Sequence, residues 1–136
     1  MNTDDLLQEI TTDPGLDVVR IVNLDSQGRV LLVQEVDDVN WKLPGGKMEE
    51  NESVLKAAVR EINEELGYTL TEDEIKKVIK ALIPDSPNYR YIILTQMDAS
   101  KFVATPEVAE FGLFALDELP DTKFQHHIAS AVEFVS

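Results

Sequence analysis

The chain contains no cysteine, which excludes disulfides and thiolate metal sites. It lacks any apolar run near the roughly 18 residues needed to span a bilayer. Its N-terminal stretch, MNTDDLLQEITTDP, is acidic and has neither the basic region nor the apolar region of a signal peptide. Together these absences lead us to expect a cytoplasmic protein with no membrane partner. Basic residues are also scarce: 12 Lys and Arg stand against 26 Asp and Glu, a formal net charge of −14. Duplex nucleic acid is excluded as a partner, because binding it needs many Lys and Arg contacts to phosphate. A small anionic substrate is repelled at long range too, unless cations are held at the site. No internal repeat or low-complexity tract appears. A chain of 136 residues suits one domain, with roughly two-thirds of its unfolded surface buried.

Periodicity gives a mixed α/β order. Thr3 to Ile10 reads as a short amphipathic helix capped by Thr3 or Asp4. Asp13-Pro14-Gly15 reads as a turn. Val18 to Leu24 is rich in β-branched residues and reads as a strand. Asp25 to Arg29 then makes a hairpin connection into a second strand, Val30 to Gln34. Trp41 to Leu43 is a short extended piece, since Pro44 pushes Leu43 out of the helical region. Ser53 to Leu66 is the clearest helix: Val54, Leu55, Ala58, Val59, Ile62 and Leu66 recur at the helical period. Ser53 or Asn51 caps it, and Gly67 supplies the left-handed position after its end. Thr71 to Lys77 adds a further turn of helix. Val78 to Ile83 is a strand stopped by Pro84-Asp85-Ser86-Pro87, and Tyr89 to Met97 is a strand that pairs with it. Phe111 to Leu116 is another strand, Asp117 to Pro120 a turn, and Phe124 to Phe134 a C-terminal helix. Such an order predicts a sheet sandwiched between helices.

The end of the central helix breaks local rules. A helix C-terminus carries partial negative charge, so each carboxylate there costs about 0.3–1 kcal/mol. Glu61 also repels Glu64 and Glu65 as like-charge neighbours on the helix surface. The three acids fill an arc of roughly 100° beside the apolar stripe. Sequences tend to break such rules at functional sites. A hard cation, Mg²⁺ or Mn²⁺, would turn the repulsion into coordination. A solvated acidic face is the other reading, and the helix alone does not decide between them. Gly45-Gly46 reads as a tight turn that also lets backbone approach a ligand.

One spacing is specific. Gly46, five residues, Glu52, seven residues, then Arg60-Glu61-Ile62-Asn63-Glu64-Glu65-Leu66-Gly67-Tyr68 resembles the Nudix box, with seven fixed residues present over 23 positions. The one departure is Tyr68, where the pattern has a bulky aliphatic residue. Trp41 to Gly46 and Leu113 to Pro120 resemble the flanking segments of the same family. The resemblance extends from about Val18 to Pro120 and is strong in the box. It implies an α/β/α sandwich around a mixed central sheet, a single domain over residues 1–136, and hydrolysis of a nucleoside diphosphate linked to another moiety. A nucleoside triphosphate, a nucleotide sugar and a dinucleotide all remain open as substrates. It implies that Glu64 and Glu65 are the main metal ligands, that Glu61 is a further ligand or activates water, and that the Gly46 carbonyl completes the set. Arg60 would pair with Glu52 as structural support. Glu110, placed just before the Phe111 strand, would be an additional acid, with Glu107 the second choice. The competing function is a nucleotide sensor on the same fold that turns nothing over. A prenyl diphosphate isomerase is disfavoured by the missing cysteine.

Arg20, Lys42, Tyr89 and Arg90 are candidate substrate contacts. Strand alternation puts Tyr89 and Tyr91 on one face and Arg90 on the other, so not all of them line one pocket. Trp41 is expected to pack rather than stack on a base. His126 and His127 are adjacent and do not share a helix face, which argues against a His-His metal pair. A homodimer is left open.

Overall fold

The computed structural model describes residues 2–13, 17–83 and 86–136. The expected turn at Pro14-Gly15 and the strand stop at Pro84-Asp85 lie outside these residues. Among the described residues seven strands form two sheets. β1 (Val18–Asn23), β4 (Gly45–Lys47), β5 (Ile75–Leu82) and β6 (Tyr89–Thr95) make a mixed sheet in the order β4-β1-β6-β5. β1 runs parallel to β6, while β4 and β5 are antiparallel to their neighbours. β2 (Val30–Glu35), β3 (Trp41–Lys42) and β7 (Val108–Phe114) make an antiparallel sheet in the order β3-β2-β7. The expected pairing of Tyr89–Met97 with the preceding strand is present as β5–β6.

Alternation along the strands divides the core in two. Val19 and Ile21 of β1, Leu31 and Val33 of β2, and Tyr91 and Ile93 of β6 pack with α1 (Thr3–Leu7) and α2 (Val54–Leu66). Val22, Val30, Leu32 and Ile92 point the other way and pack with Ile128, Ala131, Val132 and Val135 of α3 (Gln125–Val135). Strands buried on both faces read as continuous apolar runs, and this is why VLLV at Val30–Val33 shows no polar alternation. Each fully buried Leu, Ile or Val contributes roughly 1.5–3 kcal/mol by leaving water.

Several expectations are corrected. The first helix ends at Leu7 rather than Ile10, and its cap is Asn2, whose side chain accepts from the Asp5 amide. Glu9 to Thr11 leave the helix because they pair with the start of α2. The Val54 amide donates to the Glu9 carbonyl, the Thr11 amide to Glu52, and the Asn51 amide to Thr11. Asp25 does close a turn, accepting from the amides of Gln27 and Arg29. The two strands it joins meet only at a Leu24–Val30 bridge and then part into separate sheets. Gly45-Gly46 is not a turn but strand β4, in register with Val19 and Arg20. The turn of helix expected from Thr71 is a 3-10 segment, Glu72–Glu74, after which β5 begins at Ile75. The strand expected from Phe111 begins at Val108.

α2 has the limits its caps impose. Ser53 accepts from the Lys56 amide at the start, and Gly67 takes φ 58° at the end. Its buried face is turned from the apolar stripe alone: Ala57, Glu61 and Glu65 are buried with Val54, Ala58, Ile62 and Leu66, whereas Leu55 and Val59 are only partly so. α3 spans Gln125–Val135, within a residue of the range expected from periodicity.

Candidate active site

Glu61 and Glu65 belong to the interior of the molecule, with 8% and 2% of their surfaces exposed. Two glycines of β4 make room for them. Gly45 has φ +134°, and a Cβ there would stand 2.1 Å from the Val19 carbonyl oxygen. Its amide donates to Glu65 Oε1 at 3.2 Å. A Cβ on Gly46 would stand 2.6 Å from Glu61 Oε1. The bare Gly46 backbone is therefore the surface against which the Glu61 carboxylate rests. The other oxygen of Glu65, Oε2, is buried with no hydrogen-bond partner.

Burial pushes the carboxyls of both Glu61 and Glu65 above the usual range. For Glu65 the Gly45 amide opposes this and the neighbouring Glu61 charge adds to it. For Glu61 the adjacent Arg60 cation opposes it. Such a pair resists full ionisation unless a further positive charge arrives.

Arg60 is the centre of the support around these acids. Its Nε and Nη2 donate to Glu52 Oε2 and Oε1 at 2.7 and 3.0 Å. Nη2 also donates to the Lys47 carbonyl at 3.0 Å, and Nη1 reaches Glu61 Oε1 at 3.1 Å and Glu64 Oε2 at 3.3 Å. The mutual repulsion expected of the three acids is thus partly offset by one cation seated among them. Glu64 is the most exposed of the three, with 40% of its side chain open to solvent.

The donor chemistry suits a hard divalent cation: carboxylate oxygens, one of them buried and unpartnered, beside a glycine backbone. Among the described residues no three His, Cys, Asp or Glu side chains stand close enough together to enclose an ion. With Arg60 on Glu61 and Glu64, the acids are held by a guanidinium in the arrangement seen.

A cleft of about 490 Å³ opens on the opposite face of the mixed sheet, against α3. Arg20, Lys42, Arg90, Phe124 and His127 line it. Arg20 and Arg90 share this face through the β1–β6 register. Arg20 donates to the Leu43 carbonyl at 3.4 Å and lies within electrostatic reach of Glu65 and Glu61, which links the cleft to the acids. Lys42 is paired with Glu35 at 2.7 Å. Tyr89 is not in the cleft. It lies on the other side of the sheet with the Lys80 ammonium 4.1 Å from its ring centroid. Glu110 is in β7 itself, opposite Gln34, exposed, and without a side-chain hydrogen bond or ion pair among the described residues. Glu107 is exposed as well. Trp41 packs edge-on against Phe114 at 5.0 Å.

The contributions of Phe124 and His127 were not found from the sequence. Their only signal was position on an amphipathic C-terminal helix, and nothing local says which sheet face that helix covers. Burial, then the charges of Arg90 and Arg20, push the His127 imidazole down to about 4, so it is neutral near pH 7.

A mixed sheet between helices, with a glycine strand set against paired glutamates, defines an α/β sandwich with an acidic site at the end of its central helix. The family model of the NUDIX domain matches residues 15–133, and the chain belongs to that family. It is 38% identical over 68 residues to Nudix hydrolase YvcI of Bacillus subtilis (strain 168), covering 48% of this chain and 43% of that one. It is 45% identical over 103 residues to the 8-oxo-dGDP phosphatase NUDT18 of Danio rerio, covering 72% and 30%. The crystal structure of a MutT NUDIX hydrolase from Burkholderia pseudomallei superposes with a TM-score of 0.66 at 26% identity, over 88% of this chain and 97% of that one. The chain spans less than half the length of these two curated relatives. No helix among the described residues is long and apolar enough to cross a membrane.

Proposed function

We propose that this protein is a metal-dependent pyrophosphohydrolase that cleaves a nucleoside diphosphate linked to another moiety. One observation carries the reading: the buried, unpartnered Glu65 oxygen lies in a site shared with Glu61 and walled by the Gly46 backbone. A fold selected for stability alone would not retain two neighbouring buried carboxylates whose proton affinity burial pushes upward. Family membership and the 8-oxo-dGDP phosphatase and Nudix hydrolase relatives support the same class of reaction.

Glu65, Glu64, Glu61 and the Gly46 carbonyl would hold Mg²⁺ or Mn²⁺. When bound, the ion neutralises phosphate oxygens and makes water more acidic. The chain's own residues supply the rest. Where Glu61 does not ligate the ion, it would orient the attacking water and accept its proton. Arg60 and Glu52 hold the carboxylates in place through the two-pronged ion pair. Arg20 faces the phosphates from β1 and offsets their charge. Water attacks one phosphorus, and the other phosphate leaves with its moiety. Glu110 stands as an outside acid from β7, to be tested by its own substitution.

The test is metal-dependent phosphate or nucleotide release from a panel of nucleoside triphosphates, nucleotide sugars and dinucleotides, using wild type and Glu65→Gln. Turnover that needs Mg²⁺ or Mn²⁺ and is lost in Glu65→Gln is expected. Metal-dependent binding with no turnover of any panel member would replace this reading with that of a nucleotide sensor.

A further inference from the structure

The lining of the cleft over the mixed sheet brings Arg20, Lys42 and Arg90 together and includes no carboxylate among the described residues. In a chain of net charge −14, that is a local reversal of sign. Arg90, partly buried, carries its unmet donor. The Nε of Arg90 is buried with no hydrogen-bond partner, and the side chain makes no ion pair among the described residues. No carboxylate acts on it, and burial alone governs its proton affinity. A buried N–H left unpaired is costly, and an anion that accepted from it would recover that cost.

The strand order sets distances along the cleft. The acids sit against β4, Arg20 is one strand away on β1, and Arg90 is two strands away on β6. Neighbouring strands are about 4.8 Å apart, so Arg90 rises roughly 10 Å from the strand that meets the acids. Arg20 stands between the two. His127 of α3 and Phe124, which caps that helix, line the cleft on the helix side. A neutral imidazole there offers a donor and an acceptor without adding charge.

We propose that Arg90 and His127 form a second anion subsite, which receives a phosphate on the part of the substrate distal to the cleaved anhydride. The proposal rests on the pyrophosphohydrolase reading above and narrows its substrate class. The preferred substrate is a nucleoside diphosphate derivative that carries an additional phosphomonoester beyond the diphosphate. Arg20 serves the diphosphate, and Arg90 serves the extra phosphate. Lys42 contributes less, being already paired with Glu35.

Two measurements test this independently of each other. The first uses metal-free protein and inorganic phosphate, followed by NMR of the arginine Nε–H and histidine ring signals. Saturable shifts of Arg90 Nε–H and of His127 are expected, with the His127 shift lost in Arg90→Gln. Phosphate that leaves both signals in place, or a His127 response that survives in Arg90→Gln, overturns the subsite. The second compares kcat/KM for matched pairs differing by one phosphomonoester: reduced nicotinamide dinucleotide with and without its 2′-phosphate, and coenzyme A with and without its 3′-phosphate. A preference of about tenfold or more for the phosphorylated member is expected, as for one charge-assisted contact, and Arg90→Gln narrows it while Arg90→Lys restores part of it. Equal rates within each pair sink the subsite and leave the hydrolase reading standing. Phosphate binding at Arg90 with no turnover of any substrate sinks the hydrolase reading and leaves the subsite standing.

Discussion

The Gly45 amide donates to Glu65 Oε1 across 3.2 Å and so joins the short strand β4 to the last turn of α2. Twenty residues separate the two in sequence. Everything the site does chemically depends on how closely β4 lies against β1 on one side and against the α2 acids on the other. Both contacts require a residue without a side chain.

Gly45→Ala and Gly46→Ala should therefore fail in different ways. An added Cβ at Gly45 meets backbone, the Val19 carbonyl, at a position whose φ is already +134°. We expect a loss of about 3 kcal/mol or more in denaturant unfolding. At Gly46 it meets the end of a side chain, Glu61 Oε1, which turns aside. Stability should fall by only about 1 kcal/mol, while metal-dependent turnover falls steeply. Equal losses of stability would show that β4 yields more than its backbone contacts allow.

Arg60 and Glu52 make a two-pronged contact, with side chains 21% and 10% exposed. A lysine delivers a point charge and cannot match that geometry. Arg60→Lys should cost about 2 kcal/mol, because it leaves Glu52 partly unpaired. Urea midpoints measured beside the Glu52→Gln variant would check it, and an unchanged midpoint for Arg60→Lys would refute it.

Glu65 and Glu64 should respond differently to amide substitution. The folded proton affinity of Glu65 lies above its ordinary value of 4.5. Its ionisation therefore destabilises the metal-free fold as pH rises above that value. Metal-free Glu65→Gln should melt about 2–5 °C higher than wild type at pH 7.5, with the gap closing below pH 4.5. Turnover should drop by about 10²-fold or more. Glu64 is a half-exposed partner of Arg60 four residues away, an arrangement that contributes about 0.3–0.5 kcal/mol. Metal-free Glu64→Gln should melt within a degree or two of wild type.

His127 should make the fold acid-sensitive. Its folded value of about 4 lies below the ordinary 6.5, so the unfolded chain takes up the proton first. The stability this neutral imidazole contributes is complete above pH 6.5 and is lost as pH falls toward 4. After allowance for its partial solvent contact, the loss is about 1–2 kcal/mol. Unfolding of wild type and His127→Asn, compared from pH 7 to pH 4, would show it. Parallel curves would mean that the imidazole is charged or solvated in the fold.

Much was legible in the chain. The Ser53 and Gly67 caps bound α2 because they act on backbone groups within three or four residues. The 46–68 spacing named the family because it is a pattern in the sequence itself. The strand at Gly45–Lys47 was not legible, since two glycines signal a turn to any local rule. Only the approach of Val19 makes them a strand. Gln8 to Ile10 carried a helical pattern, and pairing with residues 51–54 overrode it. The placement of Arg60 among Glu61 and Glu64 was missed as a counter to their repulsion, because side-chain direction, not spacing, puts it there.

By itself the sequence determined the family, the central helix and the residue types at its end. Those are consequences of spacing along one chain segment. The tertiary structure decided that β1 and β2 part into different sheets, that Glu61 and Glu65 lie inside, and that Arg20, Arg90 and His127 face one cleft. Contacts between residues some seventy to a hundred positions apart follow from which sheet face each helix covers, and no local propensity encodes that choice.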